Sequence, residues 1–331
     1  METLLLPGDA KGIALAGGLL RQGKLAAVPT ETVYGLAANA LDPKAVEQIF
    51  KVKGRPQDNP LIVHIASAGD MRAIVSSLPD EALKLAEVFW PGPLTLVLPG
   101  SGLVSDNVAA GLDTVAVRCP DNEIARNVIL EAGVPLAMPS ANLSGRPSPT
   151  TARHVMDDLN GQIELILDGG QCAVGIESTV FDVLHCVILR PGRITKEQIE
   201  SVIGVLDVTL PCDDTVTRSP GVKYRHYAPK APLVLLEGSL DKASAYVRER
   251  SQVEKVGVLC FDGEADAFAG TSAVVPYGGE FDAKAQERLL FAALRELDSI
   301  GVGLICARCP KGTGAFSAVA NRLQKAAMSV I

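Results

Sequence analysis

The sequence has no hydrophobic run long enough to cross a membrane. Such a run needs roughly 18 to 20 consecutive apolar residues, and the apolar stretches of this chain are all shorter. The apolar segment 12–20 follows a single lysine, Lys11, and leads to no small-residue cleavage site. We therefore expect no secretory signal peptide and predict a cytoplasmic protein that does not bind membranes.

Cysteine and positive charge are also scarce. The chain has seven scattered cysteines, an odd number, and a net charge of −7. The cysteine pattern excludes the disulfide framework of small secreted domains. Cys306 and Cys309 form a lone CxxC pair, for which two reduced, packed thiols are the favoured interpretation. The acidic balance argues against a surface that coats nucleic acid but permits a local basic site.

The composition is that of a globular protein, with 47% apolar and 21% charged residues among 331. This length is enough for two domains, each with its own core. We predict a first domain over residues 1–205 and a linker over 206–231, in which tyrosines and basic side chains lie between prolines. Strands alternate with helices over 232–331, which predicts a small parallel α/β domain.

The stretch 28–65 is the most informative part of the chain. It reads VPTETVYGLAANALDPKAVEQIFKVKGRPQDNPLIVHI. An apolar strand precedes a turn between Pro29 and Gly35 that presents several hydroxyl groups. Asp42 followed by Pro43 is the expected start of a helix, since Asp is a good N-cap and Pro suits the first helical position.

Basic residues crowd the end of this helix. Lys51, Lys53 and Arg55 are followed by Asn59 in a loop and by His64 in the next strand. Cations are favoured at a helix C-terminus by the helix dipole alone, which is one explanation. The other is an anion site, because ligands gather at strand ends in open α/β sheets and a polyphosphate requires several fixed cations.

A second polar loop follows a buried strand and reads PSANLSGRPSPT over residues 139–150. Short polar donors of this kind suit phosphate oxygens and the edge of a nucleotide. N-capping of the helix that follows is the alternative. Ser148 or Thr150 is suitably placed for a cap, whereas Ser140 and Asn142 come too early.

Two arginines end apolar strands farther along the chain. Arg118 ends a strand that Thr114 opens, and Arg190 ends another; Ser178 precedes a third strand. Each arginine is either a surface charge or a clamp for an oxyanion. Together with the Lys-x-Arg loop, the two arginines supply enough positive charge for a triphosphate.

These features closely resemble the YrdC-like threonylcarbamoyl-AMP synthases in their long two-domain form. The family signature is a Pro-Thr-x-Thr-x-Tyr-Gly-Leu turn, a Lys-x-Arg-Pro loop and a Pro-Leu-x-x-His strand, which residues 29–36, 53–56 and 60–64 match. The resemblance implies an α/β fold. It consists of an N-terminal YrdC-like twisted open mixed sheet flanked by helices, plus a smaller C-terminal Rossmann-like parallel α/β domain.

The resemblance also implies an activity, that of an L-threonylcarbamoyladenylate synthase. This nucleotidyltransferase joins L-threonine, bicarbonate and ATP into threonylcarbamoyl-AMP and pyrophosphate, the first step toward threonylcarbamoyladenosine in tRNA. Mg²⁺ is expected as counter-ion of the polyphosphate, held mostly by phosphate and water. Positioning and charge neutralisation suffice for this chemistry, in agreement with the lack of a Ser/His/Asp arrangement. Expected partners are tRNA and tRNA-threonylcarbamoyl-transferase proteins.

Matching the family's positions to this sequence assigns two sets of site residues, with Lys53 and Arg55 as the catalytic pair and no metal-ligating side chains. Arg118 would face the threonine carboxylate, and His226 would reach in from the linker, which docks on the active site. The choice of Arg190 over Arg193 rests on spacing. The threonine set is Thr32, His64, Arg118, the Met138 backbone and Ser178; the ATP set is Lys53, Arg55, Asn59, Thr114, Ser140, Asn142, Ser148, Arg190 and His226.

Two other functions stay open at this point. One is a carbamoyl-adenylate-forming module like that of hydrogenase-maturation carbamoyltransferases, which carry an acylphosphatase region and paired CxxC zinc motifs, both absent here. The other is a double-stranded RNA or tRNA-binding module that uses the same basic residues. Binding that falls steeply with salt and needs neither ATP nor threonine would favour the second.

Overall fold

The computed structural model describes residues 2–204 and 226–331. The chain divides into two compact units. The predicted linker 206–231 falls mostly outside the described residues, and its docking stays a prediction. Among the described residues, the first unit comprises 2–144, 149–173 and 177–204, and the second comprises 145–148, 174–176 and 226–331.

The strands of the first unit form one mixed sheet, as predicted, in the order β1-β8-β2-β3-β7-β4-β6-β5-β9-β10. The strands are β1 (Leu4–Pro7), β2 (Ala26–Val28), β3 (Gly35–Asn39), β4 (Ile62–His64), β5 (Leu94–Pro99), β6 (Thr114–Arg118), β7 (Leu136–Ala137), β8 (Leu165–Asp168), β9 (Thr179–Asp182) and β10 (Val187–Arg190). The helices are α1 (Ala10–Arg21), α2 (Pro43–Lys53), α3 (Met71–Ile74), α4 (Asp80–Phe89), α5 (Asp106–Ala109), α6 (Glu123–Ala132), α7 (Ala152–Leu159) and α8 (Lys196–Ile203).

Helix α2 begins and ends as its sequence predicts. The Asp42 side chain accepts a hydrogen bond from the Lys44 amide, and Pro43 is the first helical residue. Gly54 ends the helix at φ 60, in the left-handed region that glycine adopts without a steric penalty. The basic end of the helix is therefore placed by local sequence signals.

Helix α7 is capped by a residue other than the predicted ones. The Thr151 side chain accepts from the His154 amide and caps the helix. The prediction of Ser148 or Thr150 was wrong, because the Thr150 carbonyl accepts a hydrogen bond from the Cys172 amide and is held outside the helix. A long-range contact therefore shifts the start of the helix.

Both faces of the large sheet pack against apolar side chains. Residues alternate between the two faces of a strand, so His64 shares a face with Ile62, and Arg118 shares it with Ala116. Ile62 and Ala116 belong to a small apolar cluster on this face. A second cluster on the same face packs β2, β3 and β7 against α1 and α6, and includes Val28, Ala37, Leu136, Met138 and Leu167.

The second unit is a five-stranded sheet in the order β13-β12-β14-β11-β15. Its strand pairs are all parallel, which confirms the predicted Rossmann-like α/β domain. The strands are β11 (Leu233–Leu236), β12 (Val256–Cys260), β13 (Ala273–Pro276), β14 (Leu304–Arg308) and β15 (Ser329–Val330), and the helices are α9 (Leu240–Arg250), α10 (Ala283–Ile300) and α11 (Ser317–Ala326).

Cys306 and Cys309 are both free thiols. Burial raises the pKa of Cys306 to about 12 and that of Cys309 to about 11. Both are protonated at neutral pH, in agreement with the interpretation of packed thiols. Over 2–204 and 226–331, no helix combines the length and the apolar character needed to span a membrane.

Candidate active site

One row of residues crosses six consecutive strands of the large sheet. Neighbouring strands lie about 4.8 Å apart, so His64 and Arg190, four strands apart, are separated by roughly 19 Å along this row. His64 belongs to the predicted threonine set, and Arg190 belongs to the predicted ATP set. Read across the sheet, with the β5–β6 register continued by one residue, the row is Leu136, His64, Arg118, Thr95, Val180 and Arg190.

Arg118 lies near the middle of the row and is buried. Its Nε donates to the Gly92 carbonyl at 3.2 Å, and its Nη1 donates to Thr32 Oγ1 at 2.9 Å. Its Nη2 lies 2.6 Å from Oε1 of Glu31. The predicted turn between β2 and β3 therefore folds back toward β6 and places Glu31 and Thr32 against the guanidinium.

His64 is a buried, neutral imidazole beside Arg118. Its Nδ1 lies 3.2 Å from the Ile62 carbonyl oxygen. Burial, helped by the Arg118 charge, lowers the pKa of His64 from its ordinary value of 6.5 to about 3. At neutral pH the ring can therefore donate one hydrogen bond and accept another without adding charge to the site.

The free energy of unfolding should decrease at acid pH because His64 stays neutral in the folded protein. Its pKa is about 3 when folded and about 6.5 in an unfolded chain. The unfolded state binds the proton first, so stability is full above pH 6.5 and declines as the pH falls toward 3. Between pH 7 and pH 5, protonation of His64 in the unfolded state should lower the free energy of unfolding by about 2 kcal/mol. Urea unfolding at the two pH values measures this change.

A His64→Gln variant should lose less stability over the same pH range than the wild type. His185→Gln is the matched control, because the His185 side chain is 52% exposed and pairs with Asp182. The His185→Gln variant should lose as much stability between pH 7 and pH 5 as the wild type does. Equal acid sensitivity in wild type and His64→Gln would contradict a buried neutral imidazole.

Ser178 is held from two neighbouring strands. Arg190 donates from Nε to the Ser178 carbonyl at 3.1 Å and from Nη2 to Ser178 Oγ at 3.2 Å. The same Oγ lies 2.8 Å from Thr95 Oγ1. A Cβ atom on Gly192 would lie 2.3 Å from the Thr179 amide nitrogen, so only glycine permits this approach. Arg190, predicted for ATP, thus contacts a residue predicted for threonine.

A short turn connects the two halves of the row. The Gly92 carbonyl accepts from Arg118, and the carbonyl of the next residue, Pro93, accepts from the Thr179 amide at 3.0 Å. The backbone before β5 therefore fixes both Arg118 and the segment that carries Ser178.

Lys53 is buried although its side chain is cationic. Its Nζ donates to the carbonyl oxygens of Ser140 and Asn142, at 2.5 Å each. The two polar loops singled out in the sequence are therefore joined directly. Ser140 also forms a bridge with Gly35 at the start of β3, and a Cβ atom on Gly35 would lie 2.3 Å from Met138 Cγ.

Arg55 and Asn59 lie in the loop that follows α2. Arg55 Nη2 donates to the Pro60 carbonyl at 3.1 Å and lies 3.4 Å from the Asn59 carbonyl oxygen. Asn59 is 1% exposed, and its side-chain amide has no hydrogen-bond partner among the described residues. A buried polar group without a partner costs roughly 1–3 kcal/mol, so this amide is suited to a ligand.

Most predicted ATP residues lie to one side of the row. Thr114 begins β6 four residues before Arg118, which at the rise of a β-strand corresponds to roughly 13 Å. Ser140 lies beyond the end of the antiparallel β7, four residues after Leu136. Asn59 precedes His64 on the same side, because β4 and β6 are parallel.

Two predicted site residues, Ser148 and His226, belong to the second unit. Both are buried. The His226 ring lies 5.7 Å from the Tyr227 ring, which stacks on Phe291 at 5.5 Å and lies 5.3 Å from the Arg322 guanidinium. Within this unit His226 is therefore held beside an anchored tyrosine. The predicted contacts of Ser148 and His226 with ATP stay predictions.

Comparison with known proteins identifies the family. The family model described as Telomere recombination matches residues 18–192, and the model described as Threonylcarbamoyl-AMP synthase, C-terminal domain, matches residues 194–328. The threonylcarbamoyl-AMP synthase of Pyrococcus abyssi is 47% identical to this chain, in an alignment that covers 95% of this chain and 93% of the relative. That of Bacillus subtilis is 46% identical, covering 95% of this chain and 92% of the relative. The chain belongs to the threonylcarbamoyl-AMP synthase family.

A solved structure of this family has the same two-domain fold. The crystal structure of P. abyssi Sua5 complexed with L-threonine matches with a TM-score of 0.91 and 44% identity, covering 99% of both chains. The chain is therefore an enzyme that transfers a nucleotidyl group and acts in tRNA modification. The family and the activity predicted from the sequence are confirmed.

Two buried residues of the candidate site carry no sequence signal strong enough to predict them. Thr95 is a single hydroxyl inside the apolar strand LTLVLP, and Glu31 occupies a position that the family signature leaves open. Each contacts a predicted site residue that is distant in the chain. An isolated polar residue in an apolar run is the one signal available for Thr95.

Proposed function

We propose that L-threonine binds along the row of His64, Arg118 and Ser178, and that ATP binds on the side of Lys53 and Arg55. The enzyme would then join both with bicarbonate into threonylcarbamoyl-AMP and release pyrophosphate. The observation that carries this proposal is Arg118, a buried guanidinium fixed by three contacts next to a neutral imidazole.

The proposed threonine site matches both ends of the amino acid. A guanidinium is planar and suits a carboxylate, so Arg118 would bind the α-carboxylate group. The hydroxyls of Thr32 and Ser178 and the neutral ring of His64 can donate and accept, as the threonine hydroxyl requires. The Met138 backbone would line the same site. A site that hydrogen-bonds a hydroxyl discriminates strongly against amino acids that lack one.

The proposed ATP site supplies positive charge and amide groups. Lys53 fixes the loop that carries Ser140 and Asn142. Arg55 lies at the start of the adjacent loop, and the Asn59 amide is without a partner in the described chain. Catalysis requires the carbamate oxygen in line with the α-phosphorus and cations near the departing pyrophosphate. Arg190, four strands from His64, would extend the positive charge.

Mg²⁺ would enter as part of the substrate, bound to ATP. No three His, Cys, Asp or Glu side chains of residues 2–204 and 226–331 cluster as a metal site. Mg²⁺ keeps several waters and binds substrate phosphates readily. Water and the ATP phosphates would therefore hold the ion, and the ion would neutralise part of the polyphosphate charge. We also propose that the enzyme works in the cytoplasm, with tRNA and tRNA-threonylcarbamoyl-transferase proteins as partners.

The proposed reaction is tested with the purified protein, Mg-ATP, bicarbonate and one amino acid at a time. We expect pyrophosphate and an acyl-adenylate to form, with L-threonine as the preferred amino acid. Pyrophosphate assays and mass spectrometry measure the two products. Equal rates with serine, or without any amino acid, would contradict the threonine site.

A further inference from the structure

Glu31 is a buried carboxylate that the proposed reaction leaves without a role. Its side chain is 8% exposed, and its Oε1 forms the ion pair with Arg118 Nη2 at 2.6 Å. Apart from this ion pair, neither carboxylate oxygen has a hydrogen-bond partner within the described part of the chain. An ionised carboxylate has roughly four acceptor positions, so acceptor capacity is left over at the proposed threonine site.

Arg118 and Glu31 together form a pair of opposite charges. A free amino acid is the complementary pair, because its α-carboxylate and α-ammonium groups are attached to one carbon atom. If the carboxylate binds Arg118, the ammonium group comes within reach of Glu31. Buried ions are stable when they are paired and hydrogen-bonded, and this arrangement gives each of the four charges a partner.

Three titratable groups near the Arg118–Glu31 pair, His64, Cys119 and Cys172, are uncharged at neutral pH. Burial, with the Arg118 charge, lowers the pKa of His64 to about 3. Burial raises the pKa of Cys119 to about 11 and that of Cys172 to about 12, and the Glu31 charge raises both as a smaller cause. Arg118 is the charged side chain that contacts Glu31.

We propose that Glu31 binds the α-ammonium group of threonine and takes one proton from it as the carbamate forms. The proposal rests on the threonine site described above. The ammonium group has no lone pair and cannot attack carbon until it loses a proton. A positioned base that accepts the proton typically accelerates such a step by about 10²- to 10⁴-fold.

The step balances without a further reactant. The ammonium group gives one proton to the Glu31 carboxylate, and the amine nitrogen forms a bond to the carbon of bicarbonate. The carbon–hydroxyl bond breaks, and the hydroxide leaves as water with a second proton from the nitrogen. The products are threonine carbamate, water and protonated Glu31.

A different role would give the opposite result. If Glu31 only occupied the place of the substrate carboxylate on Arg118, threonine would have to displace it, and removing its charge would strengthen threonine binding. If Glu31 binds the ammonium group, removing its charge weakens binding. The sign of the change therefore separates the two roles.

The first test compares two ligands by calorimetric titration of wild type and Glu31→Gln. The ligands are L-threonine and the 2,3-dihydroxybutyrate of the same configuration, which has a hydroxyl in place of the ammonium group. Glu31→Gln should bind threonine about 10- to 100-fold more weakly and bind the hydroxy acid as the wild type does. Threonine binding that is unchanged or tighter would overturn the proposal.

The second test measures kcat/KM for threonine as a function of pH. Without the carboxylate, Glu31→Gln depends on amine that is already neutral in solution, so its kcat/KM should rise about tenfold per pH unit below the pKa of the amine. The wild type uses the abundant ammonium form and should vary much less. Parallel profiles would show that Glu31 takes no proton.

Two further variants keep both tests interpretable. Glu31→Asp retains the charge and should recover part of the binding, even if Glu31→Gln folds poorly. Glu164→Gln is the matched control, because Glu164 is a partly buried carboxylate paired with Lys24 at 3.7 Å. This variant should behave as wild type.

The failure of the proposed function and the failure of the Glu31 role give different results. If the wild type releases no pyrophosphate with threonine, the proposed function fails. If the wild type releases pyrophosphate and Glu31→Gln does so equally well, only the role of Glu31 fails.

Discussion

Replacing Arg118 with glutamine should remove measurable binding of L-threonine and leave ATP binding in place. The substitution deletes the charge that would hold the α-carboxylate, and it leaves the Glu31 carboxylate buried without its partner. Removing one member of a buried ion pair costs roughly 3–5 kcal/mol, equivalent to about 10²- to 10⁴-fold in affinity. Calorimetric titration with each substrate and threonine-dependent pyrophosphate release measure the effect.

Part of this cost will appear as lost stability, so a second variant is needed. Arg118→Gln combined with Glu31→Gln removes both buried charges and should restore the melting temperature without restoring threonine binding. Arg126→Gln is the control at a partly exposed arginine, since the Arg126 side chain is 30% exposed and lies 4.0 Å from Asp121. Threonine affinity close to that of the wild type in either Arg118 variant would exclude Arg118 as the carboxylate clamp.

Replacing Arg55 with alanine should lower the rate of pyrophosphate release by about 10²- to 10³-fold, the usual loss when one fixed donor to developing negative charge is removed. The Arg55 side chain donates to the Asn59 and Pro60 carbonyls of its own loop. Since an intramolecular hydrogen bond contributes roughly 1 kcal/mol net to stability, we expect the free energy of unfolding to fall by only about 1–3 kcal/mol. Single-turnover rates and urea unfolding check the two parts.

Lys51→Ala is the matched control for Arg55→Ala. Lys51 is exposed in the last turn of the same helix, where its charge interacts with the helix dipole as any C-terminal cation does. This variant should change neither rate nor stability appreciably. An equal loss of activity in both variants would favour a general electrostatic effect, and no loss in either would contradict an anion site at this loop.

The local parts of the site could be predicted because their causes are local. The start of α2 follows from the capping geometry of Asp42 and the fixed φ of Pro43. The basic residues at its end are adjacent in the sequence, so their clustering needs no tertiary information. The alternation of apolar segments was sufficient for the parallel sheet of the second unit as well.

The helix cap at Thr151 and the pairing of Glu31 with Arg118 could not be predicted in this way. Each depends on a contact between residues far apart in the chain, with Cys172 in the first case. Sequence patterns identify residues suited to a cap or an ion pair. They do not say which suited residue is brought to a partner, because strand order and register decide that.

Sequence patterns were sufficient to predict the α/β class, the polar loops around Lys53 and Ser140 and, through the motif, the family. These depend on periodicity, capping and the identity of neighbouring residues, which are properties of short segments. It took the folded protein to reveal that His64, Arg118, Thr95 and Arg190 share one row, and that Glu31 is buried against Arg118. Burial and charge pairing arise from the packing of distant segments, and no local pattern contains that information.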